Sequence, residues 1–494
     1  MRLDRRSFLR SGLALAALPT LGSTSASAMS RPQLADYSGA WSAVPKILAA
    51  LKASRIPARD FNLKALGARG EGEDASRYFA AAVAASREAG GGRIVVPPGH
   101  YRSGPIHLAS NTELHLQQGA VLSFIPEPER YLPAVKTRWE GMELMGYSPL
   151  IYAYGCDNVA LTGSGRIDGG ADCDTWWPWK GKNDNCAFHP GPTQKPARQA
   201  LGQDMENGVP VADRVYADGS YLRPPLVQFY RCRNVLIEGV TLENSPFWVM
   251  HPVLCENVTV RGVTARSHGP NSDGCDPESC RNVLIDDCEF DTGDDCIAIK
   301  SGRNADGRRL ATPSENIVVR NCRMRDGHGG LVLGSEISGG VRNVFLENCV
   351  MSSPHLERGL RIKTNAMRGG EIHDIYVRNL SIGHVQDVIV INFYYEEGDK
   401  GPHDPEVYNI FVDNLRCQQA KRVFHIRGFA RAPIRGLHLS NSDIAQASSI
   451  GVIEAVTGLT TDAVTINDRK FNPGTDGTGT MLARKATGQD KTQK

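Results

Sequence analysis

Short apolar strands recur along the middle of the chain, and each begins with the same polar signature. Residues 232–237 read Cys-Arg-Asn-Val-Leu-Ile, and residues 255–260 and 280–285 repeat this pattern. Further copies are centred on Asn158, Asn316, Asn343, Asp374 and Asn409. From position 234 onward, the shared Asn or Asp recurs after 23, 25, 34, 27, 31 and 35 residues. Short strands at periods of this size indicate a solenoid.

The repeat predicts the fold class. A single copy cannot bury its apolar side chains, whereas stacked copies bury them in one continuous core. Because parallel connections are right-handed by default, we predict an all-β fold, a single-stranded right-handed parallel β-helix of about ten coils. An alanine-rich segment, residues 76–89, is followed by three glycines and predicts a helix. This helix would cap the N-terminal end of the core, where an open sheet edge would invite association.

The pattern also divides the chain into segments. The β-helix domain is predicted over residues 61–471, after an N-terminal extension at 29–60 that contains a helical stretch, 44–52. Residues 170–225 interrupt the repeat with many Trp, Lys, Asp, Asn and Pro residues, and such insertions usually lie on the binding side of a solenoid. Residues 472–494 are polar and are predicted to be a disordered tail.

Composition and charge exclude several classes of protein. Apolar residues make up 41% and charged residues 22% of the 494-residue chain, which are ordinary globular values that exclude wholesale disorder. There is no apolar run of about 18 residues, so we predict no membrane-spanning helix. The net charge of +2 gives no indication of a nucleic-acid partner. The twelve cysteines contain no Cys-x-x-Cys pair, and we interpret most of them as small buried residues at equivalent turns.

The N-terminus has the pattern of a bacterial twin-arginine (Tat) signal peptide over residues 1–28. Arg5 and Arg6 precede an apolar run at 13–21, and residues 26–28 (Ala-Ser-Ala) form a small-residue cleavage site. We therefore expect a protein that folds before export and resides in the periplasm or is secreted. Without this segment the net charge falls to about −1, so an anionic substrate would need a local cationic cluster.

Carboxylates are concentrated in two turns about one coil apart. Asp273 lies 21 residues before Asp294, and Asp295 follows directly. A solenoid stacks residues one coil apart at about the spacing of neighbouring strands, so these three side chains are expected to meet. Like charges at short distance raise one pKa and leave another group ionised. Glycosidic cleavage needs such a pair, one acid for the leaving oxygen and one carboxylate that activates water.

The next coils add an imidazole and two cations to this face. His328 lies in the following turn, and Arg361 and Lys363 point the same way because strand side chains alternate with period two. These cations would bind an anionic sugar. A calcium site is the other interpretation of an aspartate cluster, and the adjacent cations argue against it. We therefore predict neither metal nor cofactor.

These motifs together resemble glycoside hydrolase family 28, the polygalacturonases. The family's four motifs occur in order at residues 271–273 (Asn-Ser-Asp), 293–295 (Gly-Asp-Asp), 327–329 (Gly-His-Gly) and 361–363 (Arg-Ile-Lys). Position 272 is Ser where Thr or Asn is commoner. The resemblance extends from about residue 61 to about 450, and it includes the segments 66–68 and 95–99.

The resemblance implies a glycosidase that hydrolyses α-1,4-galacturonosidic bonds of pectin with inversion of configuration. It assigns Asp294 as general acid and Asp273 and Asp295 as the carboxylates that hold and activate water. It implies that His328 supports the acid's protonation. The expected substrate-binding residues are Arg361, Lys363, Asn271, Trp248 and Tyr394.

Two segments resemble the exo-acting bacterial branch, residues 244–252 and 392–397, which supply Trp248 and Tyr394 as aromatic candidates for sugar stacking. The insertion at 170–225 could wall off one end of the cleft, so we expect exo action. The alternatives are a galacturonohydrolase acting on rhamnogalacturonan, a pectate lyase on the same fold, and a non-enzymatic carbohydrate-binding fibre. The expected partner is a pectic polysaccharide or oligogalacturonide, with no nucleic-acid or membrane partner, and we expect a monomer.

Overall fold

The computed structural model describes residues 37–182, 186–187 and 190–473. The predicted signal peptide (1–28) and residues 474–494 of the predicted tail lie outside this range, as do residues 29–36. Within the described residues no helix is long and apolar enough to cross a membrane.

Parallel strands dominate the described chain. The helices are α1 Tyr37–Ala40, α2 Ala43–Ala50, α3 Ser76–Glu88, α4 Lys195–Glu206 and α5 Asn304–Leu310, with short 3-10 turns at Pro128–Tyr131, Trp177–Lys180 and Val211–Asp213. The strands to the middle of the chain are β1 Asp60–Asn62, β2 Glu71–Asp74, β3 Gly92–Val96, β4 Gly99–Ser103, β5 Ile106–His107, β6 Thr112–Leu116, β7 Ala120–Phe124, β8 Val135–Trp139, β9 Met142–Gly146, β10 Ile151–Tyr154, β11 Asp157–Gly163, β12 Arg166–Asp168, β13 Val215–Tyr216, β14 Val227–Tyr230, β15 Arg233–Glu238, β16 Thr241–Glu243, β17 Met250–Val253, β18 Glu256–Arg261 and β19 Thr264–Ser267. The remaining strands are β20 Arg281–Asp286, β21 Glu289–Thr292, β22 Ile297–Ile299, β23 Ser314–Arg320, β24 Arg323–Met324, β25 Leu331–Gly334, β26 Val341–Glu347, β27 Val350–Met351, β28 Arg358–Lys363, β29 Glu371–Asn392, β30 Glu406–Arg427, β31 Ile434–Ser440, β32 Asp443–Glu454, β33 Val456–Asp462, β34 Thr465–Ile466 and β35 Arg469–Lys470.

The strands stack in three parallel sheets. The first stack runs β1, β3, β6, β11, β15, β18, β20, β23, β26 and onward through β29, β30, β31 and β33. The second follows β2, β4, β7, β12, β16, β19, β21, β24 and β27. The third begins with β5, β10, β14 and β17 and continues through β22, β25 and β28. The predicted right-handed parallel β-helix is confirmed.

The recurring asparagines explain why the sequence coils at these points. Asn234, Asn257 and Asn282 all adopt left-handed backbone angles, which Asn tolerates better than most residues. Each side-chain amide donates to the side-chain Oδ1 of the Asn one coil earlier, at 3.0, 3.1 and 3.2 Å. This asparagine ladder gives the side-chain amides at three successive turns a hydrogen-bond partner.

The cysteines behave as interpreted from the sequence, with one exception. Ten cysteines are free and buried, among them Cys232, Cys255 and Cys280, which precede successive strands of the first stack. The exception is a disulfide between Cys173 and Cys186 in the insertion.

The helices lie at the ends and on the outside of the coil. Helix α3 matches the predicted segment and buries Phe79 and Ala82 against the first coil. Helix α2, close to the predicted 44–52 stretch, buries Val44 and Ile47 against outward-facing side chains of the first stack, such as Phe345. Helix α4, inside the insertion, was not predicted from the sequence.

Candidate active site

The predicted site residues converge where three successive turns enter the third stack. Asp273 lies just before the bridge that joins Cys275 to Ile297, and Asp294 and Asp295 lie between β21 and β22. The turn between β24 and β25 carries His328 one coil later. One oxygen from each of Asp273, Asp294 and Asp295 lies within 4.8 Å of the others. The structure thus brings together the carboxylates that the sequence placed one coil apart.

Asp294 is paired with the imidazole of His328. The His328 Nδ1 lies 2.9 Å from Asp294 Oδ1, and the Asp295 backbone N–H donates to the same oxygen at 3.0 Å. Gly327 permits this approach, because its φ of +153° is unfavourable for L side chains and a Cβ there would lie 2.7 Å from the Asp294 carbonyl. Asp294 raises the pKa of His328 to about 9, and His328 holds the pKa of Asp294 well below its usual range despite burial.

Asp295 is held by the two cations of β28. Lys363 Nζ donates to Asp295 Oδ2 at 2.6 Å, and Arg361 donates to Oδ1 at 3.2 Å. Arg361 and Lys363 therefore share a face, as the period of two predicts. Burial acts to raise the pKa of Asp295, but the charges of Lys363 and Arg361 lower it on balance. Asp295 is ionised.

Asp273 differs from the other two carboxylates. It is 3% exposed, and its nearest cation is Lys300, whose Nζ lies 3.6 Å from Asp273 Oδ2. Burial and the like charge of Asp276 raise its pKa well above the ordinary value. Asp273 is thus the carboxylate whose pKa is raised, whereas His328 lowers the pKa of Asp294, the general acid assigned from the family.

Asn271 connects the site to the insertion. Its side chain contacts Asp294 Oδ2 at 3.5 Å, and its own oxygen accepts from Arg223 at 2.7 Å. Arg223 is fully buried and also donates to the side chain of Gln194, at 3.0 Å, and to two backbone carbonyls. Neither Arg223 nor Lys300 was predicted as a site residue. The sequence did contain a signal for Lys300. It lies an even number of residues after Asp294 of the Gly-Asp-Asp motif, and side chains at alternate positions of an extended segment point the same way.

The two predicted aromatic residues, Trp248 and Tyr394, lie in different surroundings. Trp248 is 3% exposed, lies 4.5 Å from ring centre to Lys300 Nζ and stacks on Phe247, so its burial does not support sugar stacking, and this contact stays an untested prediction. Tyr394 is half-buried against Phe429 and Arg427, and its proposed contact with substrate stays a prediction. The aromatic ring beside Arg361 and Lys363 belongs to Tyr395, which was not predicted from the sequence.

Tyr395 lies 5.6 Å from the Arg361 guanidinium and 5.3 Å from Lys363 Nζ. Such cation–ring contacts favour a fixed direction for both cations. The triad of carboxylates has the spacing of a metal site, but four cationic side chains already surround it: Lys300, His328, Arg361 and Lys363.

Comparisons with known proteins agree with this arrangement. The model of the family "Glycosyl hydrolases family 28" matches residues 216–415. An exopolygalacturonase from Thermotoga maritima of known crystal structure is 46% identical, with a TM-score of 0.84 over 87% of this chain and 97% of that chain. A probable polygalacturonase from Vitis vinifera is 29% identical over 82% of this chain and 78% of its own length. An exo-poly-alpha-D-galacturonosidase from Dickeya chrysanthemi is 27% identical over 67% of this chain and 57% of its own length. The resemblance is therefore confirmed, and the chain belongs to glycosyl hydrolase family 28.

Proposed function

We propose that the protein hydrolyses α-1,4-galacturonosidic bonds of polygalacturonate or oligogalacturonates, with exo action. The observation that carries the proposal is the meeting of three carboxylates, two buried and one half-buried, with Arg361 and Lys363 on one face of a family 28 coil. Asp295 is the carboxylate that these two cations contact, and an anionic sugar would supply a second one, which a neutral sugar would not. Relatives named as polygalacturonases and exopolygalacturonases support the same substrate class, and they do not favour the lyase alternative.

The chemistry follows from the protonation of the site. The Asp294–His328 pair holds one proton, which passes through Asp294 to the leaving glycosidic oxygen as the C1–O bond breaks. A water oxygen forms the new bond to C1, and its proton goes to Asp273 or Asp295. Arg361 and Lys363 hold the substrate carboxylate through charge-assisted hydrogen bonds.

Inversion is part of the proposal. The short separation of the carboxylate oxygens, within 4.8 Å, is nearer to that typical of retaining enzymes, about 5–5.5 Å between carboxyl groups. The inverting assignment therefore comes from the family and not from this spacing. Proton NMR of the first-formed product identifies its anomer directly.

Exo action is proposed from the position of the insertion. Trp177 packs directly on Gly269, where a Cβ would lie 2.2 Å from the indole, and its Nε1 donates to the Ser245 carbonyl at 2.9 Å. Arg198 of α4 reaches Glu140 at 2.5 Å and Glu396 at 3.5 Å, so the insertion connects the β8–β9 hairpin with the loop after β29. The contact of Trp177 with Gly269 lies beside the segment that carries Asn271 and Asp273, and it supports the proposal that the insertion closes one end of the cleft.

The product profile tests this function. Purified mature protein is incubated with polygalacturonate, and the early products are separated by size. Monomer alone from the start is the expected result. A ladder of oligomers would contradict exo action, products with a new double bond would indicate a lyase, and activity only on rhamnogalacturonan fragments would move the substrate assignment.

We also propose twin-arginine export to the periplasm or beyond. The proposal rests on Arg5, Arg6 and the cleavage site at residues 26–28, which lie outside the described residues. The Cys173–Cys186 disulfide supports it, because disulfides persist in oxidising compartments.

A further inference from the structure

Behind Asp273 lies a buried carboxylate that the proposed reaction does not use. Asp276 is 0% exposed, and within the described structure neither of its carboxylate oxygens has a hydrogen-bond partner of good geometry. Its nearest cation is Lys300, whose Nζ lies 3.4 Å from Asp276 Oδ1. Buried charges without partners are costly, so this arrangement requires an explanation.

Lys300 is shared among three carboxylates. Its Nζ lies 3.6 Å from Asp273, 3.4 Å from Asp276 and 3.3 Å from Glu336. The Trp248 ring closes over the ammonium and excludes solvent. Glu336 has further cations nearby, with Arg303 at 4.0 Å, and its pKa is lowered by Lys300 and other positive charges. One ammonium is therefore left for Asp273 and Asp276.

Two carboxylates and one ammonium in a dry volume retain an excess negative charge. The groups that face Asp273 are Asp276, Asp294, Asp295 and Lys300. Asp276 faces Asp273, Asp295 and Lys300, and burial raises its pKa well above the ordinary value. Pairs of like charges in such surroundings hold one proton between them.

We propose that Asp276 and Lys300 are positioning residues for the water-activating carboxylate, and that Asp276 shares one proton with Asp273. When the proton is on Asp276, Asp273 is ionised and accepts a proton from water. When the pair binds a second proton, Asp273 is neutral and cannot accept a proton from water. The positive charge of Lys300 opposes this second protonation, whereas protonated Asp276 is neutral and adds no charge to it.

The inference rests on the proposed function for its kinetic readout, and pH profiles of two variants test it. Asn is neutral, as protonated Asp276 is, so the acid limb of kcat/KM on polygalacturonate should stay in place in D276N, within about half a unit. K300M removes the compensating cation, and the limb should move to higher pH by about one unit. Loss of structure alone would not move the limb in K300M and leave it in place in D276N. A limb that moves to lower pH in D276N would show that Asp276 is ionised in the active enzyme, and that result, or an unmoved limb in K300M, would overturn the inference.

A readout without substrate keeps this inference separate from the proposed function. Infrared spectra at pH 7 should show a protonated carboxyl in the wild type, and D276N should lose one such group. D306N is the matched control, because Asp306 is buried but pairs with Arg214 at 2.7 Å away from the site. No loss in D276N, or an equal loss in D306N, would overturn the shared proton even if the wild type hydrolyses galacturonan. An inactive wild type would contradict the function alone.

If D276N does not fold, the wild type still decides. Its acid limb should lie clearly above pH 4, near which an unperturbed Asp titrates. A limb at or below that value, with no protonated carboxyl in the infrared spectrum, would overturn the inference.

Discussion

The protonation of His328 determines how pH affects the proposed general acid, Asp294. Its imidazole lies 2.9 Å from Asp294, which raises the pKa of His328 to about 9. Because this pKa is raised, the pair keeps its proton below about pH 9 and loses it as pH rises through that value. We expect kcat/KM on polygalacturonate to fall with a basic limb near pH 9.

Replacing His328 with Gln should move this limb. Asp294 must then bind the proton itself, beside Lys363 and Arg361, which lower its pKa. The basic limb of H328Q should shift to lower pH by several units, and kcat at pH 7 should fall about 10²–10⁴-fold, the usual contribution of acid–base catalysis. H373Q is the control, since His373 pairs with Asp374 on the outer face. A basic limb in H328Q that matches the wild type would contradict this role.

At the residue scale, the sequence predicts well the site residues that belong to motifs. It predicts poorly the residues whose role depends on what surrounds them in the fold. Asp294, His328 and Arg361 lie at positions that a coil period brings together. Lys300 could not be predicted in the same way, because its role depends on the Trp248 ring that covers it and on carboxylates from other coils. Trp248 was selected because its segment resembles a family branch, and such a resemblance does not show which face of a ring is free.

At the element scale, the proposed exo action depends on the insertion. Its 3-10 turn at Trp177–Lys180 packs on the turn that carries Asn271, and α4 is fastened by Arg198 to Glu140. The sequence predicts where the insertion lies, since the repeat stops there. It could not predict α4 or the fastening, since contacts such as Arg198 with Glu396 join segments nearly two hundred residues apart.

The insertion should therefore control the product profile. In W177A the indole no longer fills the space at Gly269, and the end of the cleft opens. We expect oligomers among the early products of W177A from polygalacturonate, with monomer release reduced about tenfold, equivalent to roughly 1.4 kcal/mol of transition-state binding. W179A is the matched control, because Trp179 packs on Trp176 and Tyr221 inside the insertion. Monomer alone from both variants would show that another element limits the cleft.

At the scale of the whole molecule, the fold and the route of export make demands on each other. From β1 to β33, each strand of the first stack pairs in parallel with the strand one coil away, and parallel sheets fold slowly. Ten buried free cysteines add a further constraint, because an unfolded chain in an oxidising compartment could pair them wrongly. The proposed twin-arginine route would avoid both problems, because the chain would fold in the cytoplasm before export. On this route only Cys173 and Cys186, in the insertion, would pair afterwards.

This argument predicts a thiol count for each compartment. Wild-type protein recovered from the periplasm or medium should have ten thiols open to alkylation after unfolding, because two of the twelve cysteines form the disulfide. The double variant R5K/R6K should stay in the cytoplasm with twelve, since the signal is lost and the disulfide does not form. The control R2K/R10K keeps the charge of the segment and the Arg5–Arg6 pair, and it should be exported with ten. Export of R5K/R6K would refute the twin-arginine route, and fewer than ten thiols in the exported wild type would show that the buried cysteines do not stay reduced.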